Sequence, residues 1–294
     1  DIRLGSLLRD HLEGIPLDLA SRLLPGRTRL SMSLGPHIHL HARAQRQHAD
    51  DGSAAGKASG SMSSSKLVTL VESLRDTVSG LSWEPAGTEW ADYADHTSYD
   101  DQATRAKAEA VAEALRTIEG ARAWDLGANT GRYSRIAAEE GYRVVALDID
   151  PAAVERGYRA IRRDRREDIL PLLADLTEPS PALVLANAER TSLLERIDAD
   201  VILALALVHH LAISNNVPLP MIADTFAAMA PHAIVEFVPK TDTMVHKLLS
   251  SRRDVFDDYT IEGFRQAFGR RYDIVSETPI EGSERTLFHL RRRD

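Results

Sequence analysis

The sequence predicts an α/β protein with a Rossmann-like, seven-stranded and mostly parallel sheet, an antiparallel edge strand and helices on both faces. Short apolar runs alternate with helical patterns after residue 121, which is typical of strands joined by crossover helices. Only residues 279–284 separate the last two runs, and a link of that length makes one strand antiparallel. The seven runs are 122–126, 143–148, 169–173, 200–208, 233–238, 272–278 and 285–290.

Composition excludes several classes of protein. The longest apolar run, residues 201–208, is too short to cross a bilayer, so we expect no membrane-spanning segment. The absence of cysteine excludes disulfides, thiolate metal sites and thiol nucleophiles. The net charge of −8 argues against electrostatic binding of nucleic acid over the whole chain, although it does not exclude binding at a local basic patch. No secretory signal precedes the helical pattern at the start, and we expect a cytoplasmic protein.

Composition shifts along the chain predict four segments. Residues 1–49 form a partly helical N-terminal appendage, and residues 50–65, rich in Gly, Ser and Ala, form a flexible linker. Residues 66–119 form a helical lid that contains an aromatic-rich bridge, and residues 120–294 form the α/β domain. The aromatic-rich bridge contains Trp90, Tyr93, His96 and Tyr99, which would cover a ligand bound to the α/β domain.

The turn after the first strand carries the chemistry. Gly127 and Gly131 allow a sharp backbone turn beside a helix N-terminus, and Asn129 is a residue that tolerates positive φ. An acid ends each of the first two strands, because Asp148 follows Asp125 by 23 positions. A strand-end acid at that distance can accept both hydroxyls of a ribose. The sequence therefore predicts a nucleoside-binding crevice.

Asp-Leu-Gly-Ala-Asn-Thr-Gly at residues 125–131 resembles motif I of the class I S-adenosylmethionine-dependent methyltransferases. The resemblance covers the chain from residue 121 onward and implies S-adenosylmethionine as cofactor, with S-adenosylhomocysteine as product. It implies that Asp125 lies near the methionyl amino group, that Asp148 holds the ribose, and that Ile149 flanks the adenine. The full set of implied cofactor contacts is Tyr99, Asp125, Gly127, Ala128, Asn129, Thr130, Gly131, Asp148, Ile149, Asp175, Leu176 and Ala204.

The end of the fourth strand adds a second match. His209-His210-Leu211 resembles the branch of this family that methylates small molecules, and we expect a small-molecule acceptor. Residues 15–25 and 236–240 resemble bacterial methyltransferases related to a nodulation protein. Transfer proceeds mainly by proximity and orientation, and His209, His210 and Glu236 are the candidate bases.

Alternative hypotheses remain at this point. One alternative is a methyltransferase that acts on RNA or protein and recognises that macromolecule with residues 1–49. Another is a non-catalytic module that only binds the cofactor. A nicotinamide oxidoreductase is the weakest alternative, because the glycine-rich turn of that class has no leading acid, whereas this chain has Asp125 there. His37, His39 and His41 lie on one face of a predicted strand, which resembles a metal face, but no nearby acid completes it and we predict no metal site.

Overall fold

A computed structural model describes residues 2–49, 63–84, 101–250 and 253–294. The chain divides into two units, Arg3–Glu84 and Pro85–Asp294. Most of the predicted linker and the aromatic residues from Trp90 to Tyr99 lie outside the described residues. No described helix combines the length and the apolar character needed to cross a bilayer.

The first unit is helical. It contains α1 (Arg3–Asp10), α2 (Leu17–Leu23), a 3₁₀ turn (Gly26–Leu30), a π-helical turn (Gly35–Leu40) that runs into α3 (His41–Ala49), and α4 (Ser64–Ser79). Two of these elements begin directly after a proline: α2 follows Pro16 and the 3₁₀ turn follows Pro25. The side chains of α4 are all at least partly exposed.

The predicted strand through His37, His39 and His41 is wrong. These residues lie on the π-helical turn and the start of α3, because Gly35-Pro36 begins a helix rather than an extended segment. His39 makes hydrogen bonds at both ring nitrogens, 2.8 Å from Ser21 Oγ and 2.7 Å from Thr28 Oγ1. Among the described residues no group of His, Asp and Glu side chains is placed to hold a metal ion.

The second unit contains the predicted seven-stranded sheet, with strand order β3-β2-β1-β4-β5-β7-β6. Strands β1 to β5 run parallel, while β7 is antiparallel to both β5 and β6. The strands are β1 (Arg122–Leu126), β2 (Arg143–Asp148), β3 (Ile169–Leu173), β4 (Val201–Ala204), β5 (His232–Phe237), β6 (Tyr272–Pro279) and β7 (Thr286–Arg292). The prediction for fold class is confirmed. Strand β4 ends four residues earlier than predicted, just before Ala206 adopts a positive φ of 52°.

Helices cover both faces of this sheet. They are α5 (Asp101–Arg116), α6 (Arg132–Glu139), α7 (Pro151–Arg163), α8 (Leu219–Met229), α9 (Thr243–Leu249) and α10 (Ile261–Phe268). Alternate residues of each strand point to opposite faces, so Ala123 and Leu203 belong to one apolar core and Trp124 and Ile202 to the other. Helices α5, α6 and α7 pack in the first core, and α8 and α10 in the second.

Helices α4 and α5 lie in different units, although α5 and all but the first two residues of α4 fall within the predicted lid, residues 66–119. The four-segment division remains a prediction.

Candidate functional site

The crevice at the carboxyl edge of the sheet forms where the strand order reverses. From β1 the chain continues to β2 and β3 on one side, and it returns to β4 on the other side of β1. In open α/β sheets, ligands bind at such a reversal point, outside the carboxyl ends of the strands. The turn after β1 and the segment after β4 therefore face each other across the crevice.

Three left-handed residues shape the turn after β1. The φ angles are 73° at Gly127, 51° at Asn129 and 81° at Gly131, as the glycine and asparagine identities predict. A further glycine, which the sequence analysis missed, brings α7 against this turn. A Cβ on Gly157 would lie 3.2 Å from the carbonyl oxygen of Thr130, so a larger residue would push the helix away.

The Asp148 carboxylate is held by the backbone of both flanking loops. Asn129 N donates to Oδ2 over 2.7 Å, and Asp150 N donates to Oδ1 over 2.8 Å. Burial raises the pKa of Asp148, and these backbone N–H groups oppose that rise. Each carboxylate oxygen has two lone pairs, so the group can still accept hydrogen bonds from a ligand. Asp150 in turn accepts from Ala152 N and Ala153 N and caps α7.

A cavity of about 370 Å³ lies between the ends of β1, β2, β3 and β4. Ile149, Leu176 and Leu211 give it apolar walls, while Asp148 and His210 contribute polar groups. Such a mixture of apolar walls and few polar groups is typical of small-molecule sites. The lining residues are Gly127, Asn129, Leu147, Asp148, Ile149, Ala174, Asp175, Leu176, Thr177, Leu205, Ala206, Leu207, His210, Leu211, Ser214, Asn215 and Leu248.

Seven predicted site residues meet on this cavity wall: Gly127, Asn129, Asp148, Ile149, Asp175, Leu176 and His210. Seven others lie off the wall, namely Asp125, Ala128, Thr130, Gly131, Ala204, His209 and Glu236. Tyr99 lies outside the described residues. The prediction missed Ser214, Asn215 and Leu248, because these residues carry no motif and reach the cavity only through the π-helical turn (His210–Ser214) and α9.

Asp125 is buried directly behind the turn. Its Oδ2 accepts a hydrogen bond of 2.6 Å from Ser134 Oγ, on the first turns of α6. Burial raises the pKa of Asp125 to about 6, against the opposing effect of the Ser134 hydrogen bond. This carboxyl thus ties β1 to α6 at the end of the turn.

Two histidines follow β4, and they differ in environment. Their ring centroids are 4.1 Å apart. His210 reaches the cavity, and burial, together with Arg285, lowers its pKa to about 4. His209 is only 1% exposed, and neither ring nitrogen has a hydrogen-bond partner among the described residues. Burial also lowers the pKa of His209, so both imidazoles are neutral at pH 7.

Glu236, the third candidate base, lies inside a buried ion network. Its Oε2 is 2.6 Å from Lys107 Nζ, and its Oε1 is 3.4 Å from a terminal nitrogen of Arg285. Arg285 Nε also donates to Asp242 Oδ2 over 2.8 Å. Lys107 Nζ lies 4.5 Å from the centre of the Tyr133 ring. The network joins α5, α6, β5, the residue before α9 and the residue before β7.

Residues 124–225 match the family model described as a methyltransferase domain. This range includes the turn, Asp148, the cavity residues from β3 and both histidines. The match overlaps residues 125–131, which resemble motif I of the class I S-adenosylmethionine-dependent methyltransferases. S-adenosylmethionine is the cofactor that this resemblance implies.

Known proteins resemble the chain to different extents. The chain is 33% identical over 302 residues to the nodulation protein NoeA of Rhizobium meliloti, across 100% of the chain and 62% of that relative. It thus spans about 62% of the length of the curated relative it matches, and the predicted likeness to nodulation-related proteins is confirmed.

Solved structures resemble part of the chain at low sequence identity. A protein from Pyrococcus horikoshii is 13% identical with a TM-score of 0.50, covering 71% of this chain and all of that one, and it shares the fold. The N-methyltransferase NodS from Bradyrhizobium japonicum is 14% identical with a TM-score of 0.49, covering 66% of this chain and 99% of its own.

The cavity residues suit S-adenosylmethionine, the cofactor that the sequence resemblance implies. The Asp148 carboxylate offers acceptors for a vicinal diol, and Ile149 and Leu176 offer apolar surface for a purine. Gly127 presents bare backbone to the cavity at a φ of 73°, and a Cβ there would lie 3.2 Å from Leu207 Cδ1. A side chain at this position would therefore narrow the crevice.

Proposed function

We propose that this chain transfers a methyl group from S-adenosylmethionine to a small-molecule acceptor. The observation that carries the proposal is that one cavity joins the Gly127 turn, the Asp148 carboxylate and the His210 imidazole. The net charge of −8 and the His-His-Leu sequence after β4 favour a small molecule over a polyanion.

In this proposal Asp148 accepts the ribose hydroxyls, Ile149 and Leu176 flank the adenine, and Asp175 lies near its amino group. Asp125 orients the methionyl end from behind the turn, where Ser134 holds its carboxyl. The remaining turn residues, from Ala128 to Gly131, support the backbone beneath the cofactor. Tyr99 and Ala204 complete the proposed contacts.

The bound cofactor supplies an electrophilic methyl group together with its own leaving group. The chain must hold the acceptor in line with that methyl group and keep water away. The neutral His210 ring on the cavity wall can accept a hydrogen bond from an acceptor hydroxyl group and take up its proton as the methyl–oxygen bond forms, when that proton becomes strongly acidic. His209 supports the His210 ring at 4.1 Å, and Glu236 acts as a positioning residue because both of its oxygens are in ion pairs.

Calorimetry with S-adenosylhomocysteine tests the cofactor part. We expect binding to the unmodified chain, and at least tenfold weaker binding to Asp148→Ala because two hydroxyl hydrogen bonds are lost. Asp273→Ala is the matched control, since Asp273 pairs with Arg293 on the surface of β6. Undetectable binding, or equal affinity in both variants, would contradict the proposal.

A screen with labelled methyl donor tests the transfer. We expect methylation of a small amine or hydroxyl compound, with a lower rate in His210→Ala and unchanged cofactor affinity. Cofactor binding without transfer to any acceptor would favour the non-catalytic module. Transfer only to RNA or protein would favour a macromolecular methyltransferase.

A further inference from the structure

The first unit contains a basic cleft in an otherwise acidic chain. Residues 2–49 hold seven arginines against three acidic residues, whereas the whole chain has a net charge of −8. A cleft of about 570 Å³ lies within this unit. Its walls include Arg29 from the end of the 3₁₀ turn and Arg43 and Arg46 from α3.

Specific contacts hold the elements of this cleft together. A Cβ on Gly35 would lie 3.0 Å from the carbonyl oxygen of Arg29, so glycine permits the close approach of the π-helical turn to the 3₁₀ turn. The His39 ring bridges Ser21 Oγ and Thr28 Oγ1, and thereby ties α2 and the 3₁₀ turn to the helix that carries Arg43. The cleft is therefore a built feature of the unit.

The three guanidinium groups in the cleft are not neutralised. None of them forms an ion pair with an acidic side chain in the described part of the chain, where Asp18 pairs with Arg22 and Asp76 with Arg75. Gathering like charges costs free energy in the unliganded protein, and an anion removes that cost. The planar fork of arginine matches the oxygens of phosphate and sulfate.

Apolar side chains share the wall with the arginines. Leu30 is 88% exposed, Met32 94% and Leu40 60%, and all three line the cleft. An inorganic anion would leave this apolar surface in water, whereas an organic ester would cover it. We propose that the cleft binds a small organic phosphate or sulfate ester, with its anionic group on Arg29, Arg43 and Arg46 and its apolar part on Leu30, Met32 and Leu40.

Calorimetry on the full chain tests this site with phenyl phosphate, phenyl sulfate, inorganic phosphate and phenol as probes. We expect at least one phenyl ester to bind several-fold more tightly than inorganic phosphate, and phenol not to bind at the same concentrations. Arg43→Ala and Arg46→Ala should each weaken ester binding roughly tenfold or more. Arg43→Lys should recover only part of the affinity, because it restores charge without the fork.

Matched variants distinguish the arginine contacts of the cleft from its apolar contacts. Leu40→Ser should weaken ester binding and leave inorganic phosphate binding unchanged. Arg75→Ala should change neither, since Arg75 lies on α4, pairs with Asp76 and is absent from the cleft wall. Binding of S-adenosylhomocysteine in the same samples reports on the other unit, so a failure here is distinguishable from a failure of the proposed function.

Four results would overturn the inference. The first is no binding of either ester to the unmodified chain at millimolar concentration. The second is an equal loss of affinity in Arg75→Ala and Arg43→Ala, which would indicate a general charge effect. The third is binding of a single-stranded RNA oligonucleotide without binding of either ester, which would assign the cleft to a polyanion. Equal affinity for inorganic phosphate and both esters would overturn the assignment to an organic ester.

Discussion

Lys107 Nζ lies 2.6 Å from Glu236 Oε2, and both side chains are almost completely buried. This ion pair joins residues 129 positions apart and fastens α5 to β5. Burial lowers the pKa of Lys107, while Glu236 favours its charged form. A buried charge is tolerated only while its partner is present, which makes the pair a sensitive point of the fold.

Replacing Glu236 by Gln should destabilise the chain by about 3–5 kcal/mol, because Lys107 would lose its countercharge in a buried site and Arg285 would keep only Asp242. Urea unfolding followed by circular dichroism measures the free energy of unfolding. Glu277→Gln is the matched control, since Glu277 pairs with Arg265 at the surface and its loss should cost about 0–1 kcal/mol. Equal costs for the two variants would contradict the buried ion network.

Replacing Gly127 by Ala should weaken cofactor binding as well as stability. The new Cβ meets Leu207 at 3.2 Å beside the cavity, in addition to the strain of a positive φ. Gly141→Ala is the matched control, because Gly141 has a φ of 94° and a Cβ there would meet nothing within 4 Å. Strain alone should cost about 1–2 kcal/mol in each variant. Calorimetry should show lower S-adenosylhomocysteine affinity in Gly127→Ala alone.

The raised pKa of Asp125 makes stability depend on pH. Its folded-state pKa of about 6 lies above the unfolded value, so the folded state binds the proton more tightly. The associated stability is full below about pH 4 and is lost as pH rises through about 6, a change on the order of 2–3 kcal/mol.

Asp125→Asn isolates this dependence, because the amide oxygen can still accept from Ser134. The difference in unfolding free energy between the unmodified chain and the variant should change from pH 4 to pH 7, with the unmodified chain relatively less stable at the higher pH. A constant difference across that range would exclude a raised pKa.

The low pKa of His210 keeps its ring neutral under ordinary conditions. Burial and the nearby Arg285 place this pKa at about 4. Histidine ring signals in NMR spectra should therefore show His210 titrating near pH 4, with the signal assigned by its loss in His210→Gln. A midpoint near 6.5 would indicate a solvated ring and would contradict the burial of His210.

The local features of the sheet were predictable from sequence because they depend on near neighbours in the chain. Gly127 and Asn129 have few alternatives at positive φ, and the cap formed by Asp150 before Pro151 involves only the next three residues. Alternating apolar runs also indicated the strand number, and the short link before β7 indicated its antiparallel direction.

The predicted strand through His37, His39 and His41 was wrong because the local pattern was too short. Alternation over 37–41 has the period of a strand, but Gly35-Pro36 starts a helix, and contacts from Ser21 and Thr28 stabilise it. A period read over five residues is too short to separate the two structures.

Only the tertiary structure shows which charged groups pair with one another around the predicted site. Glu236 resembles a free acid at a strand end in the sequence, yet Lys107 and Arg285, distant in the chain, occupy its oxygens. The residues of the cavity wall likewise come from loops that meet only after the strands pair. Sequence thus determined the turn and the strands, because these depend on short-range backbone preferences. The folded chain determined charge pairing and burial, because electrostatic energies depend on distances that no local pattern encodes.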